Sequence, residues 1–202
     1  MSRRVDRRTL LQAAGAWLVA RPLRAAAPGA TVALLTSLGE IEIEVDAVRA
    51  PLTAVNFLRY VDAGHYDGGR FHRTVRLDNQ PGQAVLIEVV QAGMSPTPAR
   101  SGFEPIRLDR TRDTGLRHRD GTVSMARALP DSATSDFFVC IGDQPELDFG
   151  GKRNPDGQGF AAFGRVVKGM DVVRRIQQAP ADGQALTPPV PILSARRARP
   201  RV

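Results

Sequence analysis

The 202-residue chain has room for one domain of ordinary size, and its 42% apolar content is enough for a hydrophobic core, which excludes disorder over most of its length. The formal net charge is +7, but residues 1–27 contain six arginines and one aspartate, so most of that charge lies outside the rest of the chain. The charge that remains is too small to favour a nucleic-acid-binding protein.

The N-terminus has the three parts of a secretory signal peptide. A stretch with two arginine pairs precedes the apolar run 10–20, and small residues follow at 25–27. The run is too short to span a bilayer, and the arginine pairs resemble those of a twin-arginine signal, which exports folded proteins. We therefore expect residues 1–27 to be a cleaved signal peptide and residues 28–202 to form one mature domain, periplasmic or secreted. An uncleaved anchor or an amphipathic helix is the alternative for the first segment.

The rest of the chain carries two simpler signals. No other segment is long and apolar enough for a transmembrane helix, so we expect no membrane contact of the mature form. Cys140 is the only cysteine, which excludes an intramolecular disulfide bond. Because Cys140 lies in the apolar run 137–141, we expect it to be buried in a strand rather than to act as a catalytic thiol.

The mature chain begins with a predicted β-hairpin. Two alternating stretches, 32–35 and 41–45, are joined around Gly39, and the second has apolar residues on one face and glutamates on the other. A helix is predicted next, because apolar residues at helical spacing follow Pro51 and end at Gly64.

Short apolar segments separated by Gly, Pro, Asp and Asn follow this helix and predict further strands. Their spacing favours a closed or nearly closed all-β architecture over repeated βαβ units. A second helix is predicted over 169–178 and a last strand over 189–195, and the arginines from 196 onwards are predicted to be a solvated, fraying end. The predicted middle strands are 70–76, 84–91, 121–126, 136–141 and 160–167.

Five sequence blocks, in their order along the chain, are similar to the cyclophilin family, and the similarity covers about residues 31–198. The resemblance implies a closed eight-stranded antiparallel β-barrel capped by two α-helices, with a shallow proline-binding groove on its outside. It also implies peptidyl-prolyl cis-trans isomerase activity on proline-containing polypeptide clients during the folding of exported proteins. The blocks are Phe71-His72-Arg73, Gln91-Ala92-Gly93, Gly121-Thr122-Val123-Ser124-Met125-Ala126, Phe137-Phe138-Val139 and Phe163-Gly164-Arg165-Val166, followed by Gly169-Met170-Asp171-Val172-Val173.

Arg73 is the residue that the resemblance identifies as catalytic. A guanidinium directed at the prolyl nitrogen stabilises the twisted amide, because that nitrogen becomes a better acceptor as it pyramidalises. Arginine suits this task, since it remains charged and holds its donors in a rigid fork. The resemblance also implies a glutamine that holds the substrate backbone, a strand along which the peptide lies, and two apolar pocket positions. These substrate-binding residues are Gln91, then Ala126 and Ala128, and then Phe138 and Leu147.

The histidines and the glycine-bounded loop are predicted to be structural. Side chains alternate across a strand, so His72 should face the barrel if Arg73 faces the groove. His72, His65 and His118 have no metal-ligand spacing, and we expect neither a metal nor a cofactor. The loop 150–159 lacks the patterns of an EF-hand and of a P-loop and is predicted to be a plain loop.

Several positions near the predicted site depart from the family pattern. Residues 76–83 are inserted between the first two blocks, and a carboxylate at Glu88, beside Val89, would weaken an apolar pocket. Four further departures are Arg127 for an asparagine, Asp136 for a glutamine, Glu146 for a large side chain and Phe160 for a histidine. Two alternatives therefore stand beside the isomerase: a barrel that holds proline-containing or extended peptides with little or no catalysis, and an interaction barrel without a peptide groove. We expect a monomer in each case.

Overall fold

A computed structural model of the chain describes residues 29–95 and 102–198. The predicted signal peptide, residues 1–27, and the last predicted tail arginines lie outside the described residues. The strands are β1 Thr31–Thr36, β2 Gly39–Val45, β3 Arg70–Val75, β4 Val89–Gly93, β5 Thr122–Met125, β6 Phe137–Cys140, β7 Ala161–Lys168, β8 Ala181–Asp182 and β9 Ala185–Arg197. The helices are α1 Pro51–Asp62, α2 Thr111–Thr114 and α3 Met170–Gln177, with a 3-10 turn at Pro145–Leu147.

Eight of these strands close into a ring. All pairs are antiparallel, the order is β1-β2-β7-β5-β6-β4-β3-β9, and β9 pairs again with β1. The two-residue strand β8 forms a hairpin with β9 outside the ring. Pairing of the first strand with the last removes the open edges that a flat sheet would present. The predicted fold class, a closed eight-stranded antiparallel barrel with helical caps, is therefore confirmed.

The β1–β2 hairpin shows how the sequence pattern builds the barrel wall. Ile41, Ile43 and Val45 are fully buried, whereas the glutamates between them remain partly exposed. Gly39 has a φ of +134°, which a residue with a Cβ rarely adopts, and a Cβ there would lie 2.9 Å from a methyl group of Val172. The hairpin turn therefore needs glycine both for its backbone shape and for contact with α3.

The two predicted helices cover the open ends of the barrel, and the one-turn helix α2 was not predicted. α1 begins at Pro51, where a missing N–H costs nothing, and Gly64 follows its end with a φ of +67°. Phe57 on α1 is fully buried, with its ring centroid 5.4 Å from that of Phe137 and 5.0 Å from that of Phe163. These aromatic contacts between helix and strands form the centre of the core.

The strand predicted over 84–91 begins only at Val89. The buried side chain of Gln80 accepts a hydrogen bond from the backbone N–H of Ile87 at 3.2 Å and donates one to its carbonyl at 2.9 Å. These bonds replace the strand ladder at Ile87, so the backbone is satisfied without a neighbouring strand. Only the second part of the predicted strand, from Val89 onwards, pairs with neighbouring strands.

The prediction of a fraying end is wrong for Arg196 and Arg197. Both lie in β9, and their guanidinium groups reach carboxylate oxygens of Asp67 and Asp62 at 2.7 Å. The last strand is therefore longer than the predicted 189–195. Among the described residues, no helix has both the length and the apolar character needed to cross a membrane.

Candidate active site

The strand register brings the predicted site residues into one row. Arg73 of β3 lies opposite Gln91 of β4, and Gln91 lies opposite Phe138 of β6. Residues that face each other across antiparallel strands share a face of the sheet, so these three side chains project from the same side of the barrel wall. They border one pocket of about 530 Å³ on the outside of the barrel.

All six site residues predicted from the sequence line this pocket: Arg73, Gln91, Ala126, Ala128, Phe138 and Leu147. Phe138 and Leu147 are buried, and together with Val75, Ile87, Val89 and Cys140 they form an apolar cluster separate from the main core. The pocket therefore has an apolar wall and floor, with a guanidinium beside it.

Arg73 is held in place by two glutamines. Its Nε and Nη2 donate to Oε1 of Gln184 at 2.9 and 2.6 Å, and its Nη1 donates to Oε1 of Gln91 at 3.0 Å. Burial lowers the pKa of Arg73 below its ordinary value, and the charge of Arg153 lowers it further. Arginine side chains remain cationic in proteins, so the pocket contains a fixed positive charge whose partners are neutral amides.

Gln91 links this guanidinium to a carboxylate. Its Nε2 donates to Oδ2 of Asp136 at 3.0 Å, while its Oε1 accepts from Arg73. Gln184 in turn donates to the backbone carbonyl of Asn79 at 3.0 Å. Every polar end of the two glutamines is therefore engaged, which fixes the orientation of Arg73 from two sides.

The structure corrects the predicted placement of His72. The register of β3 shifts between Phe71 and Arg73, so His72 is the extra residue of a β-bulge and the simple alternation of side chains fails there. The side chain inside the barrel is that of Phe71, which is fully buried. His72 lies at the surface, with its Nε2 3.5 Å from Oδ2 of Asp136.

Two departures from the family pattern prove to lie away from the pocket. Glu88 accepts a hydrogen bond from Gln177 of α3 at 3.0 Å, and the pocket wall on either side of it is made by Ile87 and Val89. The expected weakening of the pocket by Glu88 is therefore wrong. Glu146 accepts from the backbone N–H of Lys152 at 2.8 Å, so it stabilises a loop and does not line the pocket.

Three of the other departures, Arg127, Asp136 and Phe160, do line the pocket. Phe160 packs edge-on against Phe138, with 5.3 Å between the ring centroids. Arg127 lies over Phe160, and its guanidinium donates two hydrogen bonds to Asp156, at 2.8 and 2.9 Å, and one to Gly159. Arg127 and Phe160, which stand where the family pattern has an asparagine and a histidine, thus pack on each other along one side of the pocket, and Phe160 also packs on Phe138.

The pocket residues that the sequence analysis missed include Arg153 and Asn154. Both belong to the loop 150–159, which was predicted to be a plain loop. Nη1 of Arg153 donates to the carbonyl of Val85 at 2.6 Å, which joins this loop to the insertion that follows β3. The adjacent Lys152 and Arg153 between glycines were the only sequence signal, and a contact between two irregular loops has no periodicity from which to predict it.

A hydrogen-bonded group of Ser124, His118 and Asp148 supports the pocket from behind. Nδ1 of His118 lies 2.8 Å from Asp148 and Nε2 lies 2.9 Å from Oγ of Ser124, while the imidazole stacks on Phe138 at a centroid distance of 6.0 Å. All three residues are less than 10% exposed, so Ser124 is inaccessible as a nucleophile. Over residues 29–95 and 102–198, no group of three or more histidine, cysteine or acidic side chains is placed to hold a metal ion.

Comparisons with known proteins agree with this geometry. The family model described as cyclophilin type peptidyl-prolyl cis-trans isomerase/CLD matches residues 31–197. Peptidyl-prolyl cis-trans isomerase A of Dickeya dadantii is 38% identical over 158 residues, which are 78% of this chain and 76% of that protein. Peptidyl-prolyl cis-trans isomerase cyp18 of Streptomyces antibioticus is 41% identical over 151 residues, which are 73% of this chain and 82% of that protein.

A solved structure supports the fold independently. A cyclophilin type peptidyl-prolyl cis-trans isomerase of Cryptosporidium parvum, determined in the presence of the dipeptide Ala-Pro, superposes with a TM-score of 0.67 and covers 84% of this chain and 99% of its own. At 19% identity this likeness shows the fold alone. The family model and the bacterial relatives carry the assignment further: the chain belongs to the cyclophilin-type peptidyl-prolyl cis-trans isomerases.

Proposed function

We propose that this chain accelerates rotation about X-Pro peptide bonds in the pocket bordered by Arg73, Gln91 and Phe138. The observation that carries the proposal is the guanidinium of Arg73, oriented by Gln184 and Gln91 beside the apolar floor that Phe138 and Leu147 give the pocket. The proline ring would contact Phe138 and Leu147, and the substrate backbone would lie along Ala126 and Ala128.

Catalysis needs a group that favours the twisted amide over the planar one. The X-Pro bond has partial double-bond character and a rotation barrier of about 18 to 20 kcal/mol, so it interconverts over tens of seconds without help. In the twisted state the nitrogen lone pair is localised and accepts a hydrogen bond well. Arg73 can donate to it with little reorganisation, because its fork is already oriented.

Proline-containing polypeptides are the proposed substrates. The Cryptosporidium parvum relative was determined in the presence of Ala-Pro, which supports a ligand of this chemistry for the shared fold. The pocket of this chain offers an apolar floor for a ring and a glutamine side chain for a peptide group.

We further propose that the chain acts as a monomer on exported proteins, outside the cytoplasm. The basic, apolar and small-residue segments within 1–27 support export. Fractionation of cells that express the full chain tests this proposal, since retention of the unprocessed chain in the cytoplasm would contradict it. Size-exclusion chromatography with light scattering tests the oligomeric state.

Arg73 provides the sharpest test of the isomerase. We expect Arg73→Ala in the full chain to lower kcat/KM for a proline peptide by about 100-fold to 1000-fold, because a preorganised donor to the transition state is lost. Arg73→Lys should recover only part of this loss, since an ammonium lacks the fork that both glutamines hold. A protease-coupled assay or NMR exchange spectroscopy measures the rates.

Arg70→Ala is the matched control, because Arg70 lies on the same strand but is exposed and outside the pocket. It should retain the rate of the unmodified chain. Full activity of Arg73→Ala would refute the role of Arg73. Peptide binding that survives Arg73→Ala, with no acceleration by the unmodified chain, would instead indicate the peptide-holding barrel.

A further inference from the structure

Arg153 and Asn154 line the pocket next to Arg73, yet the proposed isomerisation does not use them. Both lie on the loop 150–159, and the bond from Arg153 to the carbonyl of Val85 fixes the guanidinium against the neighbouring loop. Arg153 is half-buried, so neighbouring protein atoms restrict the conformation of its side chain.

Of the three arginines that line the pocket, Arg73 and Arg153 lack carboxylate partners among the described residues. Arg73 is bonded to glutamine side chains and Arg153 to a backbone carbonyl, and neither forms an ion pair there. Arg127 provides the contrast, because Asp156 neutralises it at the same pocket. Burial lowers the pKa of Arg153, as it does that of Arg73, which indicates that both charges are partly desolvated without compensation.

Asn154 adds a second unused donor. Its side-chain Nδ2 is buried and has no hydrogen-bond partner in the part of the chain that the structure describes. A buried donor without a partner costs free energy, which a ligand oxygen would recover if the Asn154 amide turns towards the pocket on binding. Asp136, the one acidic residue among the described lining residues, already accepts from Gln91 and lies beside His72, so it does not serve these donors.

We infer that Arg153 and Asn154 form a subsite for a carboxylate side chain beside the proline pocket, so that substrates with Asp or Glu next to the proline are favoured. The guanidinium fork and the amide N–H are donors that match the two oxygens of a carboxylate. This inference rests on the proposed function, because it assigns a sequence preference to the same pocket.

The test compares blocked peptides that differ only in Glu, Gln or Lys, placed before the proline in one series and after it in a second. Blocking both ends leaves the side chain as the only carboxylate. At low ionic strength we expect kcat/KM for the Glu peptide to exceed that for the Gln peptide by about threefold to tenfold in at least one series. The ratio should approach one in about 1 M salt, where charges are screened within about 3 Å.

Substitutions in the loop separate the subsite from a general charge effect. Arg153→Gln should bring the Glu to Gln ratio to about one, and Arg153→Glu should make the Lys peptide the better substrate. Lys152→Ala is the matched control, because it removes one positive charge from the adjacent, exposed position and should keep the ratio. Equal rates for Glu and Gln peptides in both series, or an equal loss of preference in Lys152→Ala, would overturn the inference.

This design distinguishes the two proposals. If the unmodified chain accelerates the Gln peptide but shows no preference, only the subsite is refuted. If it accelerates no peptide, the isomerase proposal fails, and peptide affinities from NMR titration then decide the subsite. Tighter binding of the Glu peptide that is lost in Arg153→Gln would support the subsite, whereas equal affinities or an absence of binding would overturn it.

Discussion

The main core of the barrel and the apolar cluster beneath the pocket are built from the same strands but have different surroundings. In β6, Phe137 and Val139 belong to the main core, whereas Phe138 and Cys140 belong to the pocket cluster. The main core is closed on all sides by strands, α1 and α3. The pocket cluster is also buried, but its residues Phe138 and Leu147 border the pocket, where charged side chains and solvent are close by.

Adjacent residues of one strand can therefore serve different ends, one stabilising the core and the next forming the pocket. A void in the closed core cannot fill with solvent at low cost, so truncation there should mainly reduce the free energy of unfolding. A void in the open pocket can be hydrated, so truncation there should cost less stability and more activity. Substitutions in β6 and behind the pocket test this distinction.

The largest expected effect is at Phe137. We expect Phe137→Ala to lower the free energy of unfolding by about 4 kcal/mol, because it removes a buried ring that contacts Phe57, Tyr66 and Phe71. Phe138→Ala should cost about 2 kcal/mol, since the space it leaves opens into the pocket, but it should lower kcat/KM at least tenfold. Urea unfolding and the isomerase assay measure the two effects.

Phe137→Leu keeps the comparison usable if the alanine variant does not fold, because it retains most of the volume and should cost about 1 to 2 kcal/mol. Its kcat/KM should remain close to that of the unmodified chain. Equal stability losses for Phe137→Ala and Phe138→Ala, or equal activity losses, would contradict the division of β6 between a stabilising main core and a functional pocket cluster.

A smaller effect is expected at Asp148, behind the pocket. Burial alone would raise the pKa of Asp148, but its hydrogen bonds with His118 and the charge of Arg117 together hold it below the ordinary value. A carboxyl with a lowered pKa in the folded state stabilises the fold above its unfolded pKa of about 4, and this contribution is lost as the pH falls through the lower folded value. The free energy of unfolding should therefore decrease below about pH 4.

Asp148→Asn should weaken that acid dependence and lower the free energy of unfolding at neutral pH by about 1 to 2 kcal/mol, because a charged acceptor for His118 becomes neutral. Denaturant titrations between about pH 2 and pH 7 measure both effects. Asp171→Asn is the control, since that carboxylate pairs with Arg175 on the exposed face of α3 and should change stability little. An unchanged acid dependence in Asp148→Asn would show that other carboxylates cause it.

The sequence predicted those parts of the fold whose apolar residues follow a regular period. The β1–β2 hairpin follows from alternation, and α1 and α3 follow from helical spacing with proline and glycine at their ends. The convergence of Arg73, Gln91 and Phe138 was predictable only through the family resemblance, because cross-strand register depends on distant residues. The catalytic role of Arg73 and the substrate-binding roles of Gln91 and Phe138 stay predictions.

The failures have local physical causes. The bulge at His72 breaks the alternation that placed its side chain, and the side chain of Gln80 satisfies the backbone of Ile87 without a strand. Arg153 and Val85 meet across two irregular loops, where single-sequence patterns carry no information about contact. Arg196 and Arg197 were predicted to fray because a run of like charge is typical of a solvated end. Their acidic partners, Asp67 and Asp62, lie far away in the sequence and could not be identified from it.

Closure of the ring by β9 has a consequence for synthesis on the ribosome. β9 pairs with β1 on one side and with β3 on the other, and its residues, 185–197, come after all the other described strands in the sequence. Until those residues leave the exit tunnel, the nascent chain has two unsatisfied strand edges, more than 110 positions upstream, that can pair with other chains. The ring can therefore close only after β9 has been made, and a chaperone that shields the edges of β1 and β3 would act before that step.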